Sequence, residues 1–554
     1  MELGVATHFS QGWPLEIVEA AQEIGVDSVR DALTWPRIEQ QVGSFTFLGP
    51  ESTYPDLLAL EGIDLQLVFA HTNSLYDQGF TPHTPEGREA FANFVAEALQ
   101  RHPFVRIIEI GNEYNSQTFV TGPVAAAYEA RAEHYIDLLK AVDAKVSVEF
   151  PDVTILSGAA HSIPVEFLQA QVQLGSLEHS DGIALHPYTS PPEKVGVHLD
   201  MLRAALAPAD PPIHATEIGA TFDSFDAAAP YLVKMTTALS ASGAASAFWY
   251  SLREQDALPR MELLAKDGAP KPAADAFALV KERLLPIGDA GRLVSDPYTY
   301  LYAFGQSAVV AWGVPQDITI RGEVEWRDSQ GRDIPPPQRL DPDEPVIAFF
   351  DDPADLATAV TLGPHDLLAD SFYDFDPRLD AEGRSGNWTF EAVRSDGTVL
   401  PLTGMGGGGR QSEAWRPYVG SPLLRPLGVS EDVVRPVDFT TPDRPGQAYQ
   451  IRETFVAPDA AKATVCGVWD VRQDTTDGVT LTLHLDGRTI HESVVTDVLH
   501  LRIDELDLGP GSRLEILTGP NADPTGDRVR RHVRIAGPSQ ADALCSTLRE
   551  TDAF

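Results

Sequence analysis

The stretches RIIEIGNE (106–113) and PIHATEIG (212–219) decide the fold. Each is a short run of β-branched and other apolar residues that ends abruptly in polar groups. In each, the last turn of the run delivers a glutamate, Glu113 in one and Glu217 in the other. Runs this short and this apolar predict strands buried on both faces, the condition of a parallel sheet covered by helices.

Six more runs of the same kind surround these two. They are GVATHF from Gly4, SVRDAL from Ser28, LQLVFAH from Leu65, VTILSGAAH from Val153, DGIALHPY from Asp181 and ASAFWYS from Ala245. Between them lie segments such as EGREAFANFVAEALQRH from Glu86 and AAAYEARAEHYIDLLKAV from Ala125, whose apolar residues recur at three and four. Eight βα units over residues 1–285 predict a closed (β/α)₈ TIM barrel, for which roughly 250 residues is typical. From residue 286 the pattern turns all-β: YTYLYAFG, SAVVAWGV and DITIRGEVEWRDSQGRDI read as consecutive strands of a small β-sandwich over 286–365. VTLTLHLDGRTIHESVV and RLEILTG close a larger sandwich or jelly roll over 366–554. Carbohydrate binding is one reading of that last domain, and a plain accessory role is the other.

Composition narrows the function classes. The 554 residues exceed what one hydrophobic core supports, so several domains are expected. A formal net charge of −40 repels polyanions, which argues against nucleic acid and acidic membranes as partners; solubility is its simplest reading. No apolar stretch of about 18 residues occurs, and the N-terminus has neither a basic nor an apolar leader region, so the expectation is a cytoplasmic protein without membrane insertion, with export by another route as the open alternative. Cys466 and Cys545 match no metal-ligand spacing; two reduced thiols are expected, with one disulfide as the alternative. Oligomeric state is not legible.

In a TIM barrel the active site lies at the C-terminal strand ends, and here these ends are polar. They carry His8, Arg30, His71, Asn112, Glu113, His161, His186, Tyr188, Glu217 and Trp249. Glu113 and Glu217 lie 104 residues apart, which fits strands four and seven of a barrel. Two carboxylates across a barrel mouth are the minimum equipment for cleaving a glycosidic bond, one as proton donor and one as nucleophile or base. Arg30 is placed to hold Glu217 by a charge-assisted hydrogen bond, with the adjacent Asp31 as its alternative structural partner. Trp249 reads as a stacking platform for a sugar face or as core packing.

The motifs EIGNEYN from Glu109 and HATEIGA from His214 resemble the acid/base and nucleophile motifs of glycoside hydrolase clan A. Family 39 and its relatives are the most similar, with family 5-like endoglycanases also similar. The resemblance covers residues 1 to about 285 plus a β domain behind the barrel. It implies retaining hydrolysis of β-glycosides, with Glu113 as acid/base and Glu217 as nucleophile. It further implies that Arg30, Asn112, His186, Tyr188 and Trp249 bind substrate; His71, at the end of the third strand, is expected to join them by hydrogen bonding to sugar hydroxyls, and neither cofactor nor metal is expected. Tyr114 departs from the proline usual after the acid/base.

Other readings stay open at this point. The four histidines His8, His71, His161 and His186 are metal ligands in a metal-dependent hydrolase, although no zinc motif spaces them; sugar hydrogen bonding suits them better. A catalytically inactive carbohydrate-binding barrel is a further alternative. His214 reads as structural, GMGGGGR (404–410) as a flexible surface loop, and the sequon at Asn387 carries meaning only after secretion. Trp388, Trp415, Tyr418 and Trp469 line a sugar groove or fill the sandwich core.

Overall fold

The computed structural model describes residues 1–255, 260–408, 414–441, 444–471, 477–522 and 527–548, with the backbone alone over 438–441 and 444–447. All eight sequence runs become strands of one closed parallel barrel in sequential order. These are β1 (Glu2–Ala6), β2 (Ser28–Ala32), β3 (Asp64–Phe69), β4 (Ile107–Ile110), β5 (Thr154–His161), β6 (Gly182–His186), β7 (Ile213–Ile218) and β8 (Ser246–Trp249). Strand alternation sorts their side chains. Leu67, Phe69, Ile108 and Ile110 point out to the helices and join the main apolar core. Gln66, Glu109, Arg30 and Thr216 form a buried polar group instead, linked by hydrogen bonds to the Glu109 carboxylate.

The covering helices follow their amphipathic pattern. In the helix Pro85–Arg101, the Thr84 hydroxyl accepts from the Gly87 backbone N–H at 3.1 Å and proline occupies the first turn, where no N–H is needed. Ala90, Phe91, Phe94, Val95 and Ala98 form its buried stripe.

Behind the barrel stands a five-stranded antiparallel sheet, in the order Ala290–Arg292, Thr299–Phe304, Ala308–Gly313, Val346–Phe350 and Val324–Arg327. Tyr300, Tyr302 and Phe304 face the barrel core, whereas Leu301 and Ala303 face a separate small core. Ile318–Ile320 does not continue this sheet as the sequence pattern suggests. It pairs with Val360–Leu362, which buries Ile318 in the small core.

Two eight-stranded sheets follow, drawn from residues between Leu367 and Ala536. Asp486 and Gly487, both at positive φ, turn Val479–Leu485 back onto Arg488–Val495. Trp388 and Trp469 are fully buried in the core of these sheets. Cys466 and Cys545 form a disulfide, not the two reduced thiols expected. The pairing arises because the helix Ala541–Ser546 folds back on the strand Ala461–Asp470, a return that linear spacing does not reveal. Among the described residues no helix is long and apolar enough to cross a membrane.

Candidate active site

β2 brings Arg30 into the barrel mouth, where its buried guanidinium serves residues of two other strands at once. Nε and Nη2 donate to Glu109 at 2.8 and 3.1 Å, Nη1 donates to Glu217 Oε1 at 2.5 Å, and Nη2 reaches Asn112 Oδ1 at 3.3 Å. Asp31 is not its partner. That carboxylate turns away and accepts from Thr7, Ser10 and the backbone of Phe9 and Ala32. Glu109 escaped notice in the sequence although a lone carboxylate inside the apolar run RIIEI was its signal. Burial opposes its charge, but Arg30 and His186 hold it at about 2.

Glu217 is held at both oxygens. Arg30 occupies Oε1, and the Tyr188 hydroxyl donates to Oε2 at 2.7 Å. Glu113 sits on a backbone with φ of 44°, a conformation a non-glycine residue keeps only when its surroundings enforce it. The enforcement is visible: Tyr114 N donates to Ala159 O at 3.0 Å, and the Asn115 side chain bonds both backbone groups of His161, at 2.8 and 3.0 Å. This turn aims Glu113 Oε1 at two imidazoles, His161 Nδ1 at 3.0 Å and His186 Nδ1 at 3.1 Å. Glu113, His186 and Glu217 each offer an atom within 4.8 Å of the others.

The electrostatics of the cluster describe one trapped proton. Burial disfavours a charged His186, yet Glu217 and hydrogen bonds to Glu109 and Glu113 push it up to about 9. Burial likewise opposes the Glu113 carboxylate, and the hydrogen bonds from His161 and His186 outweigh it, drawing Glu113 below the usual carboxylate range. Both shifts favour placing the proton on the His186 imidazole, whose Nδ1 lies 3.1 Å from Glu113 Oε1.

Two cavities flank Glu217. One, of about 330 Å³, is lined by His8, Arg30, His71 and Asn112, and the other, of about 390 Å³, by Glu113, His161, Tyr188 and Thr189. Phe119, Glu217 and Tyr250 line both. His8 bonds the Tyr250 hydroxyl at 2.9 Å, and burial pulls its imidazole down to about 4 despite Glu217. His71 is lowered by burial, and its Nδ1 has no hydrogen-bond partner among the described residues. His214 bonds Ser246 inside the barrel.

Trp249 lies elsewhere than a platform requires. Its indole is 0% exposed, stacks on Phe222 and donates to Met261 O at 2.6 Å. Alternation along β8 turns it toward the helices, and the next residue, Tyr250, faces the cleft. A second apolar ring there is Phe119, 47% exposed.

Removal of the Arg30 charge should be costly. In Arg30→Met, Glu109 and Glu217 lose their counter-charge in a buried setting, so unfolding in urea should show a loss of roughly 3–5 kcal/mol. A loss below about 1 kcal/mol would mean that the two carboxylates do not depend on Arg30.

The three-ligand cluster Glu113, His186 and Glu217 has the donor types for a divalent cation. Arg30 Nη2 already stands 3.3 Å from His186 Nε2, and Nη1 2.5 Å from Glu217, so a fixed positive charge borders that position.

No protein family matches the chain by sequence, and no curated protein does. Among solved structures it is similar to a family 39 glycoside hydrolase from the gut symbiont Bacteroides cellulosilyticus WH2, at TM-score 0.52 and 21% identity over 63% of this chain and 81% of that one. A GH5_18 structure from Streptomyces cattleya in complex with GlcNAc matches at TM-score 0.42 and 17% identity, over 51% of this chain and 80% of that one. An exo-β-1,4-mannosidase from Opitutaceae bacterium strain TAV5 matches at TM-score 0.40 and 16% identity, over 51% and 59%. The first of these likenesses shows the fold, a (β/α)₈ barrel carrying β-rich additions.

Proposed function

We propose that this protein is a retaining glycoside hydrolase acting on β-linked oligo- or polysaccharides, with Glu217 as nucleophile and Glu113 as acid/base. The observation that carries the reading is the pair itself: one oxygen of each carboxylate lies within 4.8 Å of the other at the barrel mouth. That is the short spacing of direct attack, and it is below the roughly 6.5 to 9.5 Å that leaves room for an intervening water in inverting enzymes. The glycone enters the smaller, more polar cavity, where His8, His71, Asn112 and Arg30 meet its hydroxyls. Glu217 forms a bond to the anomeric carbon as the glycosidic C–O bond breaks. The departing oxygen takes a proton through Glu113, which draws it from His186 across the hydrogen bond between them and is left as the carboxylate. Water then cleaves the ester, and Glu113 accepts its proton.

Tyr250 and Phe119, at the junction of the two cavities, offer the apolar faces on which sugar C–H groups stack. The disulfide supports an oxidising compartment in place of the cytoplasmic location expected. The metal-dependent alternative, which in the sequence rested on His8, His71, His161 and His186, would have to use Glu113, His186 and Glu217 instead, and chelation separates the two: a glycosidase of the proposed kind keeps its activity in EDTA. The deciding test is proton NMR of the first product released from an aryl β-glycoside identified by screening. Retention is expected, and an inverted anomer would refute the mechanism.

A further inference from the structure

Trp415 belongs by sequence to the C-terminal sandwich, yet its indole lies against a barrel residue. It meets the His161 ring edge-on, with centroids 5.0 Å apart and planes at 88°. On another side His161 stacks at 29° with Tyr188, centroids 6.3 Å apart. The imidazole is thus clasped between an aromatic of each unit, with Nδ1 on Glu113 Oε1 at 3.0 Å. Trp388 and Trp469, the other indoles of the C-terminal region singled out in the sequence, are packed into the sandwich core; Trp415 is half-buried and outside it.

The segment that carries Trp415 is docked, not loose. The glycine run expected to be a flexible loop instead caps a barrel helix: Val165 N and Glu166 N, in the first turn of Val165–Gln173, donate to Gly406 O at 3.0 Å and Gly407 O at 3.1 Å. Residues 409 and 410 of that run lie outside the described residues. Only glycine fits the contact. A Cβ on Gly406 would meet Val165 Cβ at 3.1 Å, and one on Gly407, at φ +68°, would meet Arg416 O at 2.4 Å. Tyr128 donates its hydroxyl to Gly408 O, and Arg425 pairs with Glu166 at 3.3 Å. Further off, buried Lys194 of the barrel donates to Tyr373 O at 2.8 Å and Phe375 O at 2.7 Å. These contacts fix where the indole stands relative to β5.

The geometry points to Trp415 as a positioning residue of the barrel's site: it holds His161 against the Glu113 carboxylate, so that sandwich and barrel act as one catalytic unit. This rests on the acid/base reading of Glu113. The imidazole is a half-buried side chain at a strand end, free to swing away by χ1 rotation once one jaw of the clasp is gone. Charged and titratable groups facing Glu113 are His161, His186 and Glu217, with Tyr188 and Tyr250 nearby. Of these, His161 is the one whose ring packs against Trp415.

The test compares Trp415→Ala and Trp415→Phe in the full chain, on a phenyl and a dinitrophenyl glycoside of the sugar that the native protein cleaves. For Trp415→Ala, kcat on the phenyl glycoside should fall roughly tenfold or more with little change in KM, while the dinitrophenyl glycoside, which needs little proton assistance, stays within about threefold. The alkaline limb of the pH profile, set by the proton that Glu113 shares with His186, should move to higher pH, because a Glu113 carboxylate that has lost the His161 hydrogen bond holds that proton more tightly. Trp415→Phe, which keeps an aromatic jaw, should restore most of the loss. Equal losses on both substrates with an unmoved limb, or a rise in KM alone, would overturn the proposal. A crystal structure of Trp415→Ala gives a readout independent of activity: His161 should leave Glu113, and an unchanged contact near 3.0 Å overturns the clasp. If a fluoro-sugar fails to label Glu217 in the native protein, the glycosidase reading has failed instead, and the clasp is judged on that structure alone.

Discussion

Glu217→Gln is expected to lower turnover by roughly 10⁴-fold or more while the protein keeps its melting temperature within a few degrees. The amide keeps the volume of the carboxylate but has no lone pair basic enough to attack an anomeric carbon. It also fits its surroundings. Its oxygen can accept from Arg30 Nη1 and its NH₂ can donate to the Tyr188 oxygen, so neither neighbour loses a partner. Arg30 retains its two bonds to Glu109. Incubation of the native protein with a 2-deoxy-2-fluoro glycoside should trap an ester on Glu217, read by peptide mass mapping. Labelling at any other residue, or wild-type rates in the Gln variant, would remove Glu217 from the role of nucleophile.

Glu113→Ala should separate substrates by their leaving groups. Natural glycosides, which need a proton on the departing oxygen, should lose roughly 10²- to 10⁴-fold, and dinitrophenyl glycosides far less. Azide, small enough for the vacated space, should restore turnover and yield a β-glycosyl azide. The pH profile adds a second measure. The proton available to Glu113 is stored on His186, present below about 9 and lost as pH rises through that value. The alkaline limb of kcat/KM should therefore fall near pH 9 in the native protein and vanish in Glu113→Ala. If the variant shows uniform losses and no rescue, Glu113 is not the acid/base.

Much of this site was written in local pattern. Strand ends are where a TIM barrel keeps its polar residues, so a short apolar run ending in Asn112-Glu113 or in Thr216-Glu217 carries position and chemistry together. Arg30, Asn112, His186, Tyr188 and both glutamates converge because parallel strands point all their C-terminal ends at one opening. Partner choice was less legible. That Arg30 joins Glu109 and not its neighbour Asp31 depends on alternation: residues 30 and 31 face opposite sides of β2, and only the inner side sees β4. The same rule moved the cleft aromatic on β8 from Trp249 to Tyr250, a one-residue change of register that no composition reports.

What the sequence determined by itself was periodicity, and with it the barrel, the all-β remainder and the two carboxylates. These follow from contacts between residues close in the chain or from the repeat of one unit. Only the tertiary structure decided the rest. Cys466 meets Cys545 across 79 residues, Gly406 and Gly407 cap a helix that begins at Val165, and Trp415 stands against His161. Each joins elements far apart in the chain, the first within the C-terminal sandwich and the other two between sandwich and barrel. Their complementarity lies in shape and exposed backbone hydrogen-bonding groups, which leave no period in the chain to be read.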